Sequence, residues 1–322
     1  MHPSFCAPEW VGGTHMKKIV LGTIGVLFVI WAVLFMGLLP AQLVQAQSSP
    51  FTAGPADVGL DYDEVSIPVP SDNLSLSAWW MPAENAHSVV LYVHGANGNK
   101  EEFHTGGLIY YAELVRRGHH VMAIDLRNHG ASDRTEEGRL TFGAEEYRDV
   151  LAALDMIAEL APDLPIIGSG VSMGGATLIE AAARDNRMKA LVLIDPLLDP
   201  ESATLGGMRA ILGLPKPLLG PTLWSAINLF GLGGDGPRPL ETGKELSLPI
   251  FIIQDPDDPV TQMRYSEELA AGNANIAYHL LPSPPADHPA LTDAGGWGSH
   301  GKAILLYKQE VMKQIDQFLA SL

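Results

Sequence analysis

Hydrophobic and polar positions alternate along two short stretches near residue 70. Residues 65–69 and 74–80 both alternate, and the polar residues 71–73 separate them. Alternation with a period of two is typical of a half-buried strand, so the pair predicts an antiparallel hairpin. Pro68 lies within the first stretch and has no N–H to donate, which predicts that this strand is at the edge of its sheet.

Beyond residue 88 the alternation gives way to short runs that are apolar throughout. Such runs are typical of strands that are buried on both faces. They lie at residues 89–93, 121–124, 166–167, 190–194 and 250–253, and a further predicted strand at 276–281 contains His279 among its apolar residues. Segments with helical periodicity come between or after them, at residues 108–117, 145–160, 176–183, 267–271 and 303–319. Strands that alternate with helices predict an α/β protein with a mostly parallel, doubly wound sheet, preceded here by the antiparallel hairpin.

One long interval breaks this alternation between residues 194 and 250. It contains many Leu, Ile, Met and Trp residues among many Gly and Pro. A connection of this length inside a compact domain is commonly a functional lid. Its apolar content predicts a small helical cap, at about residues 197–247, over the carboxyl edge of the sheet.

The N-terminal part of the chain carries a different hydrophobic pattern. Lys17 and Lys18 precede an uncharged apolar run over residues 19–39, which ends before Pro40. A run of 21 residues is long enough to cross a bilayer as a helix and longer than the core of a signal peptide. Residues 44–46 nevertheless resemble a cleavage site, so both an uncleaved anchor and a cleaved signal peptide remain open.

Charge around this run predicts its orientation. No Lys or Arg occurs from residue 19 until Lys100, so Lys17 and Lys18 are expected to stay in the cytoplasm. The remainder would then be exported on a membrane anchor, or be secreted or periplasmic after cleavage. The predicted divisions are a possible upstream extension at residues 1–15, an anchor or signal peptide at 16–46, a linker at 47–60 and one folded domain at 61–322.

Composition narrows the functional classes. The 322 residues carry 37 acidic and 20 basic side chains, a net charge of −17, and no basic cluster. Nucleic acid is therefore not an expected partner. Cys6 is the one cysteine, so the rest of the chain can form neither an internal disulfide nor a thiolate metal site.

The segment 166–176 carries the clearest chemical motif. Two β-branched residues lead into Gly170-Val-Ser172-Met-Gly174, and a small-residue helical pattern follows. The order of strand, sharp turn and helix places Ser172 on strained backbone with an exposed hydroxyl, which suits a nucleophile. Glycines on either side let the strand and the helix approach closely.

A serine nucleophile needs a base, and the base needs an acid that orients it. Three aspartates follow the apolar run 250–253, and their position favours Asp258, then Asp257, then Asp255. His300 precedes the last helix and is the favoured base, with His288 as the alternative. His279 lies inside a predicted strand, where a packing or surface role is expected.

The developing negative charge on the substrate also needs hydrogen-bond donors. Residues 94–99 follow a buried strand, and the backbone N–H groups of Ala96 and Met173 are the expected donors of an oxyanion hole. His94 and His129 lie in tight loops after strands. We expect both to be structural hydrogen-bonding residues.

These motifs together resemble the α/β-hydrolases, in the branch of lysophospholipase-, monoglyceride-lipase- and serine-aminopeptidase-like proteins. The resemblance spans about residues 65–322 and keeps that family's chain order of Ser, Asp and His. Its acid loop usually begins with His-Gly, whereas this chain has Gln254-Asp255. The matching motifs are His94-Gly-x-x-Gly98-Asn99, Asp125-x-Arg127-x-His129-Gly130-x-Ser132, Gly170-x-Ser172-x-Gly174-Gly175, Asp258-Pro259-Val260 and His300-Gly301.

The resemblance implies a serine hydrolase that works through an acyl-enzyme, with Ser172 as nucleophile, His300 as base and Asp258 as its partner. It implies no metal and no organic cofactor. The apolar cap favours a hydrophobic ester or lipid substrate that the N-terminal segment would meet at a membrane. Two alternatives remain: a peptidase or amidase on the same triad, and a binding protein that kept the fold without the activity.

Overall fold

The computed structural model describes residues 12–233, 236 and 238–322. Cys6 and residues 1–11 of the possible upstream extension lie outside the described residues. Eight strands form one sheet in the order β1-β2-β4-β3-β5-β6-β7-β8. Their bounds are β1 Asp63–Val69, β2 Leu74–Met81, β3 Ser88–Val93, β4 His119–Ile124, β5 Ile166–Val171, β6 Met188–Ile194, β7 Ile250–Gln254 and β8 Ile276–Leu280.

The sheet has the predicted mixed character. β1 pairs with β2, and β2 with β4, in antiparallel register, whereas all pairs from β4 to β8 are parallel. Pro68 lies in β1, which has a neighbour on one side only. The predicted fold class, a mostly parallel α/β sheet with an N-terminal antiparallel hairpin, is confirmed.

Helices cover both faces of this sheet. Alternate residues of β3 belong to different apolar cores, with Val89 and Leu91 in one and Val90 and Tyr92 in the other. Because both faces are covered, every residue of β3, β5 and β7 is buried, which explains the continuous apolar runs. The helices of the main body are α3 Gly107–Arg116, α4 Tyr147–Leu160, α5 Met173–Ala182, α9 Met263–Gly272 and α10 Ala303–Leu319, in the numbering of the whole chain.

Three further helices fill the interval between β6 and β7. They are α6 Pro200–Leu212, α7 Lys216–Asn228 and α8 Pro239–Glu245. Met208 of α6 packs with Leu219 and Leu223 of α7 in a small apolar cluster of their own. The predicted small helical cap is therefore present, with its own core above the sheet.

The N-terminal segment is helical up to residue 43. It consists of α1 Gly12–Val33, a π-helical turn at Leu34–Leu38 and α2 Leu39–Leu43. Its stretch Met16–Leu43 has 28 residues and a mean hydropathy of 2.7 over its most apolar window, none of which is buried. By length and composition this helix could cross a membrane.

Candidate active site

Ser172 lies at the turn between β5 and α5. Its φ of 50° and ψ of −117° are strained for a residue with a side chain. A Cβ on Gly174 would lie 2.0 Å from the Val93 carbonyl oxygen, and one on Gly170 would lie 2.8 Å from the Gly174 carbonyl carbon. Only glycine fits at these two positions, so the motif spacing follows directly from the close approach of strand and helix.

His300 stands between Ser172 and Asp258. Its Nε2 lies 3.0 Å from the Ser172 Oγ, and its Nδ1 lies 2.7 Å from the Asp258 Oδ2. A carboxylate can only accept, so Nδ1 carries the proton and Nε2 is free to accept from the serine hydroxyl. The three side chains therefore form one continuous chain of hydrogen bonds.

The other candidates for acid and base lie outside this chain of hydrogen bonds. His288 uses its Nδ1 to accept from the backbone N–H of Ala290, within its own loop. Asp255 accepts from the backbone N–H of Asp257, so both belong to the turn that leads to Asp258. His279 contacts Glu310 near the surface.

Asp258 is held firmly by its own loop. Its Oδ1 accepts from the backbone N–H groups of Val260, at 2.7 Å, and Thr261, at 3.0 Å. The Thr261 hydroxyl donates to its Oδ2 over 2.6 Å. These bonds orient the carboxylate towards His300.

Asp195 is a site residue that the sequence analysis missed. It lies at the end of β6 with a φ of 43°, and its side chain accepts from the backbone N–H of Gly301 at 2.9 Å and of Asp255 at 2.8 Å. It thus joins the loop that carries His300 to the loop that carries Asp258. Burial, followed by the nearby charge of Asp258, raises its pKa well above 3.8. Its position directly after an apolar strand was the available sequence signal.

Asp195, Asp258 and His300 also offer three potential metal ligands within 4.8 Å of one another. Oxygens of both carboxyl groups already accept hydrogen bonds from backbone N–H groups. A cation would have to approach these same N–H groups, which carry partial positive charge. The cluster therefore fits a hydrogen-bonded network that orients the imidazole better than a metal site.

Opposing effects act on the pKa of His300. Burial lowers it, but the facing carboxylate of Asp258, with smaller contributions from Asp195 and Glu102, raises it more. The net result is a pKa above the ordinary value of 6.5. The surroundings thus stabilise the imidazolium form of His300 more than water does.

The two expected oxyanion donors are Ala96, in the loop after β3, and Met173, at the start of α5. Within the described chain, the backbone N–H groups of Ala96 and Met173 donate to no protein acceptor. His94 Nε2 accepts from the Leu126 N–H at 3.0 Å, and His129 Nε2 accepts from the Asn97 N–H at 3.2 Å. Burial lowers the pKa of His94 to about 4 and of His129 to about 3, so both imidazoles are neutral hydrogen-bonding groups that shape this loop.

Glu102 supports the same loop from beneath and was not predicted. Its Oε1 accepts from the Gly95 N–H at 2.9 Å, and its Oε2 accepts from the Thr105 hydroxyl at 2.6 Å. The residue is 6% exposed, and burial raises its pKa. Both oxygens are thus occupied in positioning the donor loop.

A cavity of about 400 Å³ opens above Ser172. Its walls come from the loop at residues 94–99, the cap and the N-terminal segment, and most of its lining side chains are apolar. The apolar lining includes Leu43, Leu140, Phe142, Leu197, Met208, Ile211, Leu232 and Trp297.

Comparison with known proteins agrees with this fold. A model of the alpha/beta hydrolase family matches residues 90–307. The chain therefore belongs to the alpha/beta hydrolase family.

Individual relatives include lipases. The monoglyceride lipase of Homo sapiens is 33% identical over 156 residues, which are 44% of this chain and 48% of that protein. The lysophosphatidylserine lipase of Mus musculus is 25% identical over 244 residues, covering 67% of this chain and 57% of that protein. The chain spans about half the length of the curated relatives that it matches.

Solved structures show the same architecture. An esterase from Pyrococcus furiosus aligns with a TM-score of 0.70 at 21% identity, over 86% of this chain and 97% of that one. Est1E from Butyrivibrio proteoclasticus with bound ferulic acid aligns with a TM-score of 0.57 at 20% identity, over 80% of this chain and 99% of that one. At these identities the likeness establishes the fold.

Proposed function

We propose that this protein is a serine hydrolase that cleaves carboxylic esters with a hydrophobic acyl group. One observation carries the proposal: hydrogen bonds of 3.0 and 2.7 Å link Ser172, His300 and Asp258 below an apolar cavity. Esterase and lipase relatives support the same class of substrate.

The chemistry proceeds in two halves. The Ser172 Oγ attacks the ester carbonyl carbon while His300 Nε2 takes the hydroxyl proton, and the oxyanion is bound by the N–H groups of Ala96 and Met173. Collapse of the tetrahedral intermediate breaks the bond between the carbonyl carbon and the alcohol oxygen, and the alcohol leaves with the proton from His300. Water then attacks the acyl-enzyme with the same base, which releases the acid and restores Ser172. Asp258 keeps the imidazole in the required tautomer throughout.

Substitution of the nucleophile tests this proposal. Ser172→Ala removes the attacking oxygen and should lower the turnover of p-nitrophenyl butyrate by roughly 10⁴-fold or more. A fluorophosphonate should label the native protein at Ser172 and leave the variant unlabelled. Ser75→Ala is the matched control, because Ser75 bonds to Ser66 on the hairpin, far from the site. Unchanged turnover in Ser172→Ala would refute the assignment.

The two alternatives differ in what they predict. A binding protein with this fold would give no fluorophosphonate adduct. A peptidase would cleave aminoacyl anilides faster than esters, and selection of a free amine would call for an unoccupied acid in the cavity. Two acidic residues line the cavity. Both oxygens of Glu102 already accept hydrogen bonds, whereas Asp293 is exposed and its carboxylate accepts none from the described residues. The stronger support for the ester hydrolase therefore comes from its lipase relatives.

The N-terminal helix is, in this proposal, an uncleaved membrane anchor with an exported catalytic domain. Lys17 and Lys18 precede the apolar run and no Lys or Arg follows it until Lys100, which supports this orientation because basic residues stay on the cytoplasmic side. Protease added outside spheroplasts should digest the catalytic domain. A domain that is degraded only after lysis would contradict the orientation.

A further inference from the structure

The N-terminal helix ends on the catalytic domain itself. Its π-helical turn packs against α7, where the Ser225 hydroxyl donates to the Met36 carbonyl oxygen over 2.6 Å. Just beyond the helix, Val44 and Ala46 are 2% and 3% exposed and belong to the main apolar core. The helix is therefore fixed to the cap and the core at its exit.

The segment that leaves the helix, residues 44–46, is also hydrogen-bonded to the backbone of residues 138–140. The Ala46 N–H donates to the Gly138 carbonyl oxygen over 2.8 Å, and the Val44 carbonyl oxygen accepts from the Leu140 N–H at 2.9 Å. Both bonds are made by residues of the segment 44–46, which resembles a cleavage site. In the folded protein Val44 and Ala46 are therefore both buried and paired with backbone of residues 138–140, whereas Gln47 is exposed.

Residues 47–53, expected to be part of a linker, lie across the oxyanion loop. The Gln47 N–H donates to the Asn97 Oδ1 at 2.8 Å, and the Asn99 Nδ2 donates to the Ser49 carbonyl oxygen at 2.7 Å. Ser49 and Pro50, together with Leu43 of the helix, line the cavity that contains Ser172. One wall of the cavity is thus built by the segment that leaves the helix.

Distance along the helix places this wall near the end of the apolar run. Leu43 follows Leu39, the last residue of that run, by four positions, or about 6 Å at the rise of an α-helix. If residues 19–39 fill the hydrocarbon layer, Leu43 lies in the headgroup region. The cavity then begins at the surface of the bilayer.

Exposed apolar side chains surround the same end of the domain. Phe103, Ile211 and Trp297 line the cavity and are still 62%, 57% and 39% exposed. On α7, which contacts the N-terminal helix, Leu218 and Trp224 are 48% and 53% exposed. Large exposed apolar groups that cluster at one end of a domain mark an interaction surface.

The charge of this surface also suits a membrane. Residues 202–233 contain Arg209 and Lys216 and no acidic residue, although the chain has 37 acidic residues in all. Anionic lipid headgroups repel acidic side chains and attract basic ones. The stretch that forms α7 and most of α6 is thus the part of this acidic protein that can approach a bilayer closely, whereas the acidic residues of the cap lie towards its two ends, at positions 199, 201, 235, 241 and 245.

We propose that the cap and the exit of the N-terminal helix form one surface that rests in the headgroup layer of the bilayer that holds the helix. The cavity mouth then faces the lipid, and the ester is a membrane-resident amphiphile that enters from the bilayer. This inference rests on the proposed ester hydrolysis and on the proposed anchor. Beyond those two proposals, it states which face of the domain contacts the lipid and by which route the substrate enters the cavity.

Paired substrates and variants test the surface. The full chain is placed in phosphatidylcholine vesicles, and hydrolysis of soluble p-nitrophenyl acetate is compared with that of a fluorogenic oleate ester dissolved in the vesicles. In the double variant Leu218→Asp with Trp224→Asp, hydrolysis of the vesicle ester should fall roughly tenfold, because carboxylates resist contact with lipid. Hydrolysis of the soluble ester should not change.

The matched control places the same charges elsewhere. Leu160 and Leu280 are exposed to a similar degree but lie outside the cap, at the ends of α4 and β8. Leu160→Asp with Leu280→Asp should leave both activities unchanged. The proposal is wrong if the cap variant keeps its activity on the vesicle ester, or if the control variant loses as much.

A fluorescence measurement separates this surface from the chemistry. In a background of Trp10→Phe, Trp31→Phe and Trp297→Phe, which removes the tryptophans before the membrane helix, within it and at the cavity mouth, lipids brominated near the headgroup should quench the emission of Trp224. The further change Trp224→Phe should remove most of that quenching, and quenching that persists would refute the contact. Failure on soluble ester with normal quenching would instead overturn the proposed function.

Mass spectrometry of the membrane-bound protein tests the intact junction. The mature chain should retain residues 16–46. A protein that begins at Gln47 would overturn the proposal, because Leu43 and Val44 would have left the cavity and the core.

Discussion

The imidazole of His300 faces the carboxyl groups of Asp258, Asp195 and Glu102. Their combined effect outweighs burial and holds its pKa above 6.5. The base works only when it is neutral, so activity should fall as the pH drops through this pKa. The acid limb of a kcat/KM profile with a soluble ester should therefore have its midpoint above pH 6.5.

Removal of the charge on Asp258 should move this midpoint. Asp258→Asn takes away the largest influence that raises the pKa of His300, so the midpoint should shift to lower pH while the maximal rate falls by roughly 10⁴-fold. Asp257→Asn is the control, since its side chain has no hydrogen bond to His300 among the described residues. A midpoint that stays in place in Asp258→Asn would contradict this account of the pKa.

Gly174 permits a contact that no other residue permits. A Cβ there would lie 2.0 Å from the Val93 carbonyl oxygen and 2.7 Å from that of His94, and neither backbone atom can turn away. Gly174→Ala should lower the free energy of unfolding by about 3 kcal/mol or more in urea titrations.

Gly220 provides the matched control for this substitution. It lies inside α7 with no atom within 4 Å of an added Cβ. Gly220→Ala should be neutral or stabilise by about 0.5–1 kcal/mol, because alanine favours helix. Equal effects of the two substitutions would show that backbone crowding is not the reason for glycine at 174.

Sequence patterns were informative about single residues where a motif defines local geometry. Ser172 was recognisable because strand, turn and helix are all encoded within a few residues around it. Asp258 and His300 could be ranked first because each follows a strand or precedes a helix at the right edge of the sheet. Asp195 could not be distinguished from an ordinary turn-forming aspartate, since its partners at 255 and 301 are far away in sequence.

At the scale of elements, Arg127 joins three parts of the fold. Its guanidinium contacts Asp149 of α4 at 2.8 Å and Asp72 of the hairpin turn at 3.1 Å, while it lies in the loop after β4. The side chains of Arg127 and Asp149 are 1% and 0% exposed. A buried charge without its partner is strongly unfavourable.

Arg127→Met should therefore reduce stability by about 3–5 kcal/mol, because Asp149 is left unpaired. The double variant Arg127→Met with Asp149→Leu should recover most of this loss. Lys244→Met breaks two ion pairs with exposed partners, Glu241 of α8 and Glu268 of α9, and should change the denaturation midpoint very little. If the double variant is no more stable than the single one, burial of an unpaired charge is not the cause.

Element boundaries were predictable where apolar periodicity reaches the end of the element. β1 begins at Asp63, two residues before the alternating stretch, because backbone pairing with β2 continues past the last apolar position. α9 begins at Met263, whereas the pattern indicated residue 267. Its first turn, Met263 to Ser266, alternates apolar and polar residues and gives no helical period, so only the tertiary contacts define it.

At the scale of the whole molecule, the eight residues before Gln47 belong to the catalytic domain. Val44 and Ala46 are buried in the main core. A chain that starts at Gln47 should be less stable by about 2–3 kcal/mol than one that starts at Leu39, since burial of one valine alone contributes about 1.5–3 kcal/mol. Urea denaturation of the two chains provides the measurement, and equal midpoints would contradict it.

No local pattern could have predicted this arrangement. The sequence Val44-Gln45-Ala46 suits a cleavage site, a linker and a core position equally well. The bond between Ser225 and Met36 joins residues that are 189 positions apart. A contact of that kind depends on how the finished cap sits above the sheet, and one sequence carries no record of it.

The chain leaves the sheet for the cap after β6 and returns to it at β7, which is the neighbouring strand. β6 and β7 pair directly, with Leu191 opposite Ile250, so the whole interval 195–249 is an excursion whose two ends are held side by side. Doubling the length of such an excursion adds only about 0.6 kcal/mol of closure entropy. Over evolutionary time, a lineage can therefore lengthen, shorten or replace this part and still inherit an intact reaction centre. A new cap must keep a surface that packs against the N-terminal helix, as α7 does here, so the cap and the N-terminal helix are expected to evolve together.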